Sequence, residues 1–223
     1  TSKLYAGEEE ERVLEATKRY FAEIMMPFRP AIRKNLDKVS ALSLDLIAPT
    51  HGLIHDCVAS ILESHRIWVS DSVSNTVVVP YVSMHGSTLA MVDFLTESLV
   101  DKGVRVEKVN LAVADLGKLA AALVEAATIV IGSPTVLAGA HPLAVSAAFL
   151  ANALRPKVKF ASIIGSYGWG GKTVEQITGL ISNLKVEILA PILVKGYPKP
   201  ADLAAIERLA AGIVKKHREN NIV

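Results

Sequence analysis

The sequence of 223 residues has one cysteine, few aromatic residues and no strong excess of either charge. The single cysteine, Cys57, cannot form an internal disulfide, which is typical of a reducing compartment, so we predict a cytoplasmic location. The formal net charge of +2 and the lack of a basic stripe with interleaved aromatics argue against a nucleic-acid partner. No apolar run is long enough for a transmembrane helix, and we expect no membrane partner. The highly charged residues 1–20 do not resemble a secretory signal.

Hydrophobic residues make up 51% of the chain, which indicates a packed globular protein. From about Asn75, short and almost continuously apolar runs alternate with helical segments. This alternation predicts an α/β fold with a doubly wound, five-stranded parallel sheet of flavodoxin-like size and helices on both faces. The predicted strands are residues 76–82, 104–111, 127–134, 158–167 and 185–194. The predicted helices are residues 89–102, 116–127, 142–154, 173–183 and 201–216.

Residues 1–70 differ from the rest because they contain little strand pattern. We interpret them as the tail of a preceding domain with a linker, and residues 75–223 as a second domain. The predicted elements of the tail are an amphipathic helix over 8–26, a helix over 31–40, a strand within 44–54 and a helix that ends near Trp68. The predicted buried face of the first helix is Val13, Leu14, Ala16, Tyr20, Phe21 and Ile24. Since the chain does not begin with Met, we expect it to be processed or to be a piece of a longer protein.

The loop after the first predicted strand, Ser83–Thr88, is rich in hydroxyls and has no lysine or arginine. Ser83, Ser87, Thr88 and the flexible Gly86 stand where a helix begins, so backbone amides and the helix dipole can hold a phosphate. The alternative is an ordinary helix cap by Ser87 or Thr88, which this loop taken alone favours.

Two further loops follow strands at the edge where ligands of open parallel sheets bind. The second loop begins with Ser133, Pro134 and Thr135 and suits either a plain connection or a backbone surface against a flat ligand. The third loop carries Tyr167 and Trp169 among glycines, which favours stacking against a ligand over Trp169 closing the top of the core.

The third loop also resembles a nucleotide phosphate loop, but Ser166 stands where that motif has its first glycine. Lys172 of the same stretch is more simply a solvated residue in the first turn of a helix. Taken together, the three loops suggest one ligand with a phosphate at one end and a flat ring at the other, which is the shape of FMN.

The segments "YVSMHGST", "IVIGSPT" and "IIGSYGWGGKTVEQI" resemble the flavodoxin-like domain of the flavodiiron proteins, or A-type flavoproteins. The segments "KRYFAEIMMPFRPAI" and "LDLIAPTHGLI" are similar to the last part of the other domain of that family, which is metallo-β-lactamase-like. The resemblance implies FMN as the cofactor, with Trp169 against the isoalloxazine ring. The implied cofactor contacts are Ser83, Met84, His85, Gly86, Ser87, Thr88, Ser133, Pro134, Thr135, Val136, Ser166, Tyr167, Gly168, Trp169 and Gly170.

Members of this family reduce dioxygen or nitric oxide at a diiron centre, and its main ligand motif, His-x-Glu-x-Asp-His, is absent from this sequence. The resemblance carries over one metal ligand, His51 of "APTHG". His55 would lie on the same face as His51 if a helix began at once. Two histidines without carboxylates make a poor diiron site, so iron is expected only with a complete metal domain.

The resemblance implies an FMN-binding electron-transfer protein, the flavin half of a flavodiiron-type oxidoreductase. The implied electron donor is rubredoxin, a deazaflavin or a nicotinamide-linked reductase, and the implied assembly is a dimer or a dimer of dimers. Two alternatives remain: a stand-alone NAD(P)H-dependent flavin or quinone reductase, and a non-redox nucleotide-binding regulator on the same fold. No side chain in the three loops is singled out as a general acid or base.

Overall fold

The computed structural model describes residues 4–222, and the boundary between its two compact units falls between Ser72 and Val73. The first unit is helical. Helix α1 (Glu10–Tyr20) continues through a π-helical turn (Phe21–Met25) and a 3-10 turn (Met26–Phe28) into helix α2 (Arg29–Val39). A 3-10 turn (Gly7–Glu9) precedes α1, and helix α3 (Val58–Val69) completes the unit.

The widened turn at Phe21–Met25 ends two residues before Pro27. Since proline has no amide hydrogen and its ring crowds the preceding turn, a regular α-helix cannot continue through this point. The widened turn buries Phe21, whose ring lies 5.5 Å from that of Trp68 on α3, centroid to centroid. The expected single helix over residues 8–26 therefore exists with a local change of helix type.

Two expectations for the first unit are wrong. Of the six residues of α1 and its extension that were expected to be buried, only Phe21 is buried, and Ala16, Tyr20 and Ile24 are exposed. The strand expected within residues 44–54 is reduced to isolated bridges, Tyr5 with Ile54 and Ile47 with His55. Amphipathic spacing identifies the apolar face of a helix but not what covers that face.

The second unit contains a six-stranded sheet. Its strands are β1 (Ser74–Tyr81), β2 (Arg105–Asn110), β3 (Ala126–Gly132), β6 (Phe160–Tyr167), β7 (Glu187–Ile188) and β8 (Ile192–Lys195). Strands β4 (Thr135–Val136) and β5 (Gly139–Ala140) form a separate two-stranded hairpin. The strands pair in parallel in the order β2-β1-β3-β6, and both β7 and β8 pair with β6. If β7 and β8 are taken as one interrupted strand, this is the 2-1-3-4-5 order of flavodoxin. The predicted flavodoxin-like α/β fold is confirmed.

The fifth strand was predicted as one run over residues 185–194, and it is divided at Leu189–Pro191. Proline cannot donate a ladder hydrogen bond, so a strand that contains it lies at a sheet edge or is interrupted. β7 pairs with the first residues of β6, and β8 pairs with the last residues of β6. The order of the strands in the sheet is therefore the same on both sides of the break.

Helices cover both faces of the sheet. Helices α4 (Ser87–Val100) and α8 (Pro200–Glu219) pack on one face against Val77, Val79 and Tyr81 of β1. Helices α5 (Leu116–Leu123), α6 (Pro142–Leu154) and α7 (Thr173–Leu180) pack on the other face, where Val78 points. This alternation along β1 is the period of two that a strand covered on both sides requires.

We call the two ends of the sheet its amino edge and its carboxyl edge, after the ends of the parallel strands. At the amino edge, His217 of α8 is completely buried. Its Nδ1 lies 2.8 Å from Oδ1 of Asn75, and its Nε2 lies 2.7 Å from Oγ1 of Thr128. Because the amide oxygen can only accept, Nδ1 carries the proton and Nε2 accepts from the threonine hydroxyl. Burial lowers the pKa of His217 to about 4. The amino edge is therefore closed by a fully satisfied polar network.

No helix within residues 4–222 is both long enough and apolar enough to cross a bilayer.

Candidate functional site

The three loops singled out in the sequence follow three adjacent strands at the carboxyl edge. The chain runs from β1 outward to β2 and then returns to β3 on the other side of β1. The strand order therefore reverses between β1 and β3, and the crevice at such a point is where open α/β sheets bind ligands. The register pairs Tyr81 with Gly132, and Gly132 with Ile164, so β1 and β3 end level with each other and β6 extends three residues further.

The first loop ends in two backbone amides that have no intrahelical acceptor. Gly86 adopts φ 83°, in the left-handed region that glycine reaches without strain, and α4 begins at the next residue. Ser83 Oγ accepts the amide of Leu89, the third residue of α4, at 3.2 Å, and the N-cap residue Gly86 has no side chain to cap the helix. The alternative that Ser87 or Thr88 caps α4 is therefore wrong. The amides of Ser87 and Thr88, in the first turn, have no intrahelical acceptor and can serve an anion.

The side chains of the first loop divide into two groups. Met84 and His85 are exposed, whereas Thr88 is buried and its Oγ1 lies 3.2 Å from Oγ of Ser166 on β6. This hydroxyl pair joins the start of α4 to the end of β6. Thr88 and Ser166 therefore set the position of the first loop against the third, and their hydroxyls are already hydrogen-bonded.

The second loop is a small hairpin of strands β4 (Thr135–Val136) and β5 (Gly139–Ala140). Its base is fixed by Ser133, which is completely buried and accepts the amide of His141 at 2.9 Å. The hydroxyl of Ser133 donates to the carbonyl of Pro134 at 2.8 Å. Ser133 is thus a structural residue of the loop through its side chain, while Pro134, Thr135 and Val136 remain half-exposed.

The hairpin is held against the start of α7. Thr135 Oγ1 lies 2.8 Å from Oγ1 of Thr173, and the amide of Ala140 donates to Oε1 of Gln176 at 2.8 Å. The amide of Lys172 donates to the carbonyl of Ala138 at 2.8 Å. The second loop and the third are therefore joined by side-chain and backbone hydrogen bonds.

The glycines of the third loop have two different uses. A Cβ at Gly165 would lie 1.8 Å from the carbonyl oxygen of Ser133, so only glycine allows the two backbones to approach there. A Cβ at Gly168 or Gly170 would meet nothing within 4 Å. Packing within the described chain does not require glycine at those two positions, which is the pattern expected where backbone faces a ligand.

The aromatic residues of the third loop lie at the surface. Trp169 is 79% exposed, and Tyr167 is half-buried. The alternative that Trp169 closes the top of the core is therefore wrong. An indole ring held on a glycine-rich loop presents a flat apolar face to whatever binds at this edge.

A nucleotide phosphate loop is not formed here. Such a loop needs its backbone amides free to surround a phosphate, but the amide of Lys172 donates to Ala138. Lys172 is exposed and stands at the N-cap of α7, as expected for a solvated residue. His141 caps α6, with Nδ1 accepting the amide of Leu143 at 3.2 Å, so it too has a local role.

Sequence reasoning missed four residues of this edge: Leu137, Ala138, Gln176 and Tyr197. Leu137 and Ala138 form the tip of the hairpin with φ 51° and 61°, although neither is a residue type that favours positive φ. The pattern therefore gave no turn signal at these positions. Tyr197 follows β8 at the same edge, and the amide of Gly196 donates to the carbonyl of Tyr167 at 2.9 Å. The sequence contains no cue for that contact.

The residues expected near a metal lie in the first unit. His51 is exposed, and its ring lies 6.0 Å from that of Tyr20. His55 is buried and exchanges backbone hydrogen bonds with Ile47. A shared helix face for the two histidines is wrong, because Gly52 has φ 103° and α3 begins only at Val58. Within residues 4–222, no three His, Cys, Asp or Glu side chains converge as a metal would require. The described residues therefore do not fit a diiron centre.

No protein-family model matches the chain. Individual proteins do match. The chain is 29% identical over 209 residues to a nitric oxide reductase of Moorella thermoacetica, across 92% of this chain and 52% of that protein. The chain spans about half the length of the curated relatives it matches.

Solved structures share the fold over nearly the whole chain. Rubredoxin oxygen:oxidoreductase from Desulfovibrio gigas superposes with a TM-score of 0.93 at 23% identity, over 100% of this chain and 57% of that one. The flavodiiron protein from Giardia intestinalis superposes with a TM-score of 0.89 at 22% identity, over 96% of this chain and 55% of that one. The relatives and solved structures that this chain resembles are therefore flavodiiron proteins, and the resemblance includes the part that carries the flavodoxin-like fold.

Proposed function

We propose that the carboxyl edge of this sheet binds FMN, and that the chain is the electron-transferring flavin half of a flavodiiron-type oxidoreductase. One observation carries the proposal. Three loops that flank the point where the strand order reverses are fastened to one another, and they present free helix amides and an exposed indole. A phosphate and a flat ring are the ligand groups that these features suit.

The phosphate would be held at the start of α4. The amides of Ser87 and Thr88 and the hydroxyl of Ser87 are the available donors, and Gly86 leaves the approach open because a Cβ there would meet nothing. Oriented amide dipoles and the positive end of a helix stabilise a phosphate dianion without a basic side chain. The lack of lysine and arginine in Ser83–Thr88 agrees with this mode of binding.

The ring would lie against the second and third loops. Val136 and Trp169 offer apolar surface, and the backbone of Gly168 and Gly170 can approach a flat molecule closely. When bound, flavin supplies one-electron and two-electron redox chemistry, and the protein positions the ring and sets its polarity. Of the side chains in these loops, His85 is exposed and follows directly after β1 at the same edge.

The rest of the activity would need residues outside this chain. Relatives twice as long include a nitric oxide reductase and a rubredoxin-oxygen oxidoreductase. We propose that a metallo-β-lactamase-like portion supplies the diiron ligands that residues 4–222 lack, with His51 as the ligand contributed from this chain. Reduction of dioxygen or nitric oxide would take place there, in a dimer or a dimer of dimers, with electrons from rubredoxin, a deazaflavin or a nicotinamide-linked reductase.

Flavin titration of the purified chain tests the proposal. FMN should bind tightly and riboflavin, which lacks the phosphate, at least tenfold more weakly, because charge-assisted hydrogen bonds to a phosphate contribute more than about 1.4 kcal/mol. Ser87→Asp should remove most of the preference for FMN, since it places a carboxylate beside the phosphate. Ser182→Asp is the matched control. Ser182 is an exposed serine after the carboxyl end of α7, away from the proposed phosphate site, and the substitution adds the same negative charge. Equal binding of FMN by parent and Ser87→Asp would refute the phosphate assignment.

A further inference from the structure

A groove lies on the second unit between helix α8 and the interrupted fifth strand. One wall is formed by residues 189–192 of that strand, and the other by one face of α8 from Ala205 to Glu219. The groove has a volume of about 530 Å³, within the range of pockets that hold small molecules. Its lining residues belong to none of the three loops at the carboxyl edge, so it is distinct from the proposed flavin site.

The strand wall of the groove is a β-bulge. Ala161 of β6 pairs with Ile188 of β7. Ile164 of β6 pairs with Ile192 of β8. Two residues of β6 therefore lie opposite three residues of the fifth strand, and the extra residue disrupts the ladder there. The buried hydroxyl of Ser162 donates to a backbone carbonyl of this extra segment at 3.2 Å and fixes the bulge. Bulges of this kind are common at sheet edges and beside binding sites.

The helix wall of the groove is open at Gly212, which lies within α8. A glycine inside a helix is unfavourable relative to alanine. A Cβ at Gly212 would meet nothing within 4 Å, so packing within the described chain does not require glycine there. Leu209, one turn earlier on the same face, is buried, as is Leu189 on the strand side. The groove therefore has an apolar floor that no side chain of α8 covers at position 212.

The rim of the groove carries more positive than negative charge. Its charged lining residues are Arg208, Lys215, Lys216 and Glu219. Lys216 pairs with Glu187 at 2.8 Å, and Lys215 lies 3.8 Å from Glu219. Arg208 is exposed and forms no ion pair with any residue that the structure describes. A guanidinium group without an internal partner, beside an apolar floor, is suited to a carboxylate.

The shape of the groove favours an elongated ligand. Its lining on α8 extends from Ala205 to Glu219, about 21 Å at the rise of an α-helix. A compact anion such as phosphate would use the charge but leave the apolar floor in water. An added β-strand is disfavoured, because the fifth strand is interrupted and Pro191 has no amide hydrogen to donate. An extended apolar molecule with one anionic end uses both features.

We propose that this groove binds a free alkyl carboxylate, with the carboxylate at Arg208 and the alkyl chain along Leu209 and Gly212. The guanidinium group can donate two parallel hydrogen bonds to a carboxylate. The alkyl chain removes from water the apolar surface that α8 and the bulge leave open. The proposal does not depend on flavin binding, because the two sites share no lining residue.

Calorimetric titration of the purified chain with sodium decanoate, kept below the concentration at which it forms micelles, tests the proposal. Decanoate should bind at one site per chain. Decanol has the same alkyl chain without the charge and should bind about tenfold more weakly, as expected when a charge-assisted hydrogen bond is lost. Saturating FMN should leave the affinity for decanoate unchanged.

Two variants probe the groove, and each has a matched control on the same helix. Arg208→Gln should weaken decanoate binding about tenfold and leave decanol binding unchanged, because it removes the charged partner alone. Gly212→Leu should weaken both ligands at least tenfold by filling the groove, and it should fold, since leucine is a better helix former than glycine. The controls are Arg218→Gln and Ala211→Leu, at exposed positions of α8 outside the groove lining, and both should bind as the parent does.

Each contrary outcome has a definite meaning. The absence of decanoate binding by the parent, or equal affinity for decanoate and decanol, overturns the proposal. Parental affinity in Arg208→Gln or Gly212→Leu, or equal weakening by the control variants, overturns the assignment to this groove. Displacement of decanoate by FMN would place the ligand at the carboxyl edge and also overturns it. Sedimentation with phosphatidylglycerol vesicles that Arg208→Gln abolishes, without binding of free decanoate, would assign the groove to a membrane surface instead. A chain that binds decanoate but no FMN overturns the proposed function and supports this site.

Discussion

The two edges of the same sheet are built in opposite ways. At the amino edge, His217, Asn75 and Thr128 form a buried network in which each polar group has a partner. At the carboxyl edge, two helix amides lack intrahelical acceptors, glycines face open space and the hairpin tip is strained. Buried polar groups that all have hydrogen-bond partners contribute stability, whereas unpaired amides and strained backbone are typical of binding sites. The difference supports the proposal that a ligand binds at the carboxyl edge, without reference to any relative.

The contrast extends to the glycines at the carboxyl edge itself. The backbone of Ser133 leaves no space for a Cβ at Gly165, whereas a Cβ at Gly168, three residues along, would meet nothing within 4 Å. The fold therefore requires one glycine, and we propose that the other leaves space for the ligand. Single alanine substitutions can separate these two roles.

The largest expected effect is from Gly165→Ala. The new Cβ would overlap the carbonyl of Ser133, and both groups are backbone or rigidly attached to it, so the loops must move apart. We expect a loss of about 3 kcal/mol in the free energy of unfolding, at the upper end for overpacking. Urea denaturation of the flavin-free protein measures it.

Gly168→Ala is the matched control for that experiment. It should leave the stability of the flavin-free protein unchanged within about 0.5 kcal/mol. FMN affinity should nevertheless fall, because the methyl group would occupy space proposed for the ligand. A Gly168→Ala variant with parental affinity would show that the flavin does not approach this stretch of backbone.

The next expected effect is a loss of stability in acid, which we assign to His217 at the amino edge. The pKa of His217 is about 4 in the folded protein, because burial disfavours its charged form, against 6.5 as its ordinary value. The unfolded chain therefore binds the proton more readily, so this contribution to stability is complete above pH 6.5 and is lost as the pH falls towards 4. The loss should be about 3 kcal/mol between pH 7 and pH 4.

Denaturation at several pH values checks this expectation. His217→Gln should be less stable than the parent at pH 7 and should lose less stability on acidification, because it has no group to protonate. A variant that follows the parental pH dependence would assign the acid sensitivity to other groups.

The smallest expected effect is a gain in stability from a substitution at the carboxyl edge. Ala138→Gly removes the penalty for positive φ at the hairpin tip but gives the unfolded chain more freedom, and the two terms nearly cancel. We expect a net stabilisation of about 0.5 kcal/mol. Destabilisation instead would show that the tip is not strained. Thermal unfolding of the two proteins in parallel resolves a difference of this size.

The sequence predicted the frame of the molecule well. Alternating apolar runs and helical segments identified the parallel sheet, and helix α6 was predicted over residues 142–154, as found. Helix α5 was expected to reach residue 127 but ends at Leu123, because β3 begins at Ala126. An apolar run that serves a helix and then a strand shows no periodicity at which to divide it.

What the sequence could not show depends on contacts distant in the chain. Thr88 meets Ser166 and His217 meets Asn75, pairs separated by 78 and 142 positions, and no local pattern encodes such contacts. The hairpin tip was missed for a different reason. Leu137 and Ala138 carry no turn signature, since their conformation is imposed by Thr173, Gln176 and Lys172.

A crystal structure of the chain grown with FMN tests the central claim most directly. The account predicts the phosphate at the amides of Ser87 and Thr88, and the ring against Trp169 and the β4–β5 hairpin. Electron density for FMN at another place on the protein, or loops at the carboxyl edge without any ligand at saturating FMN, would contradict it.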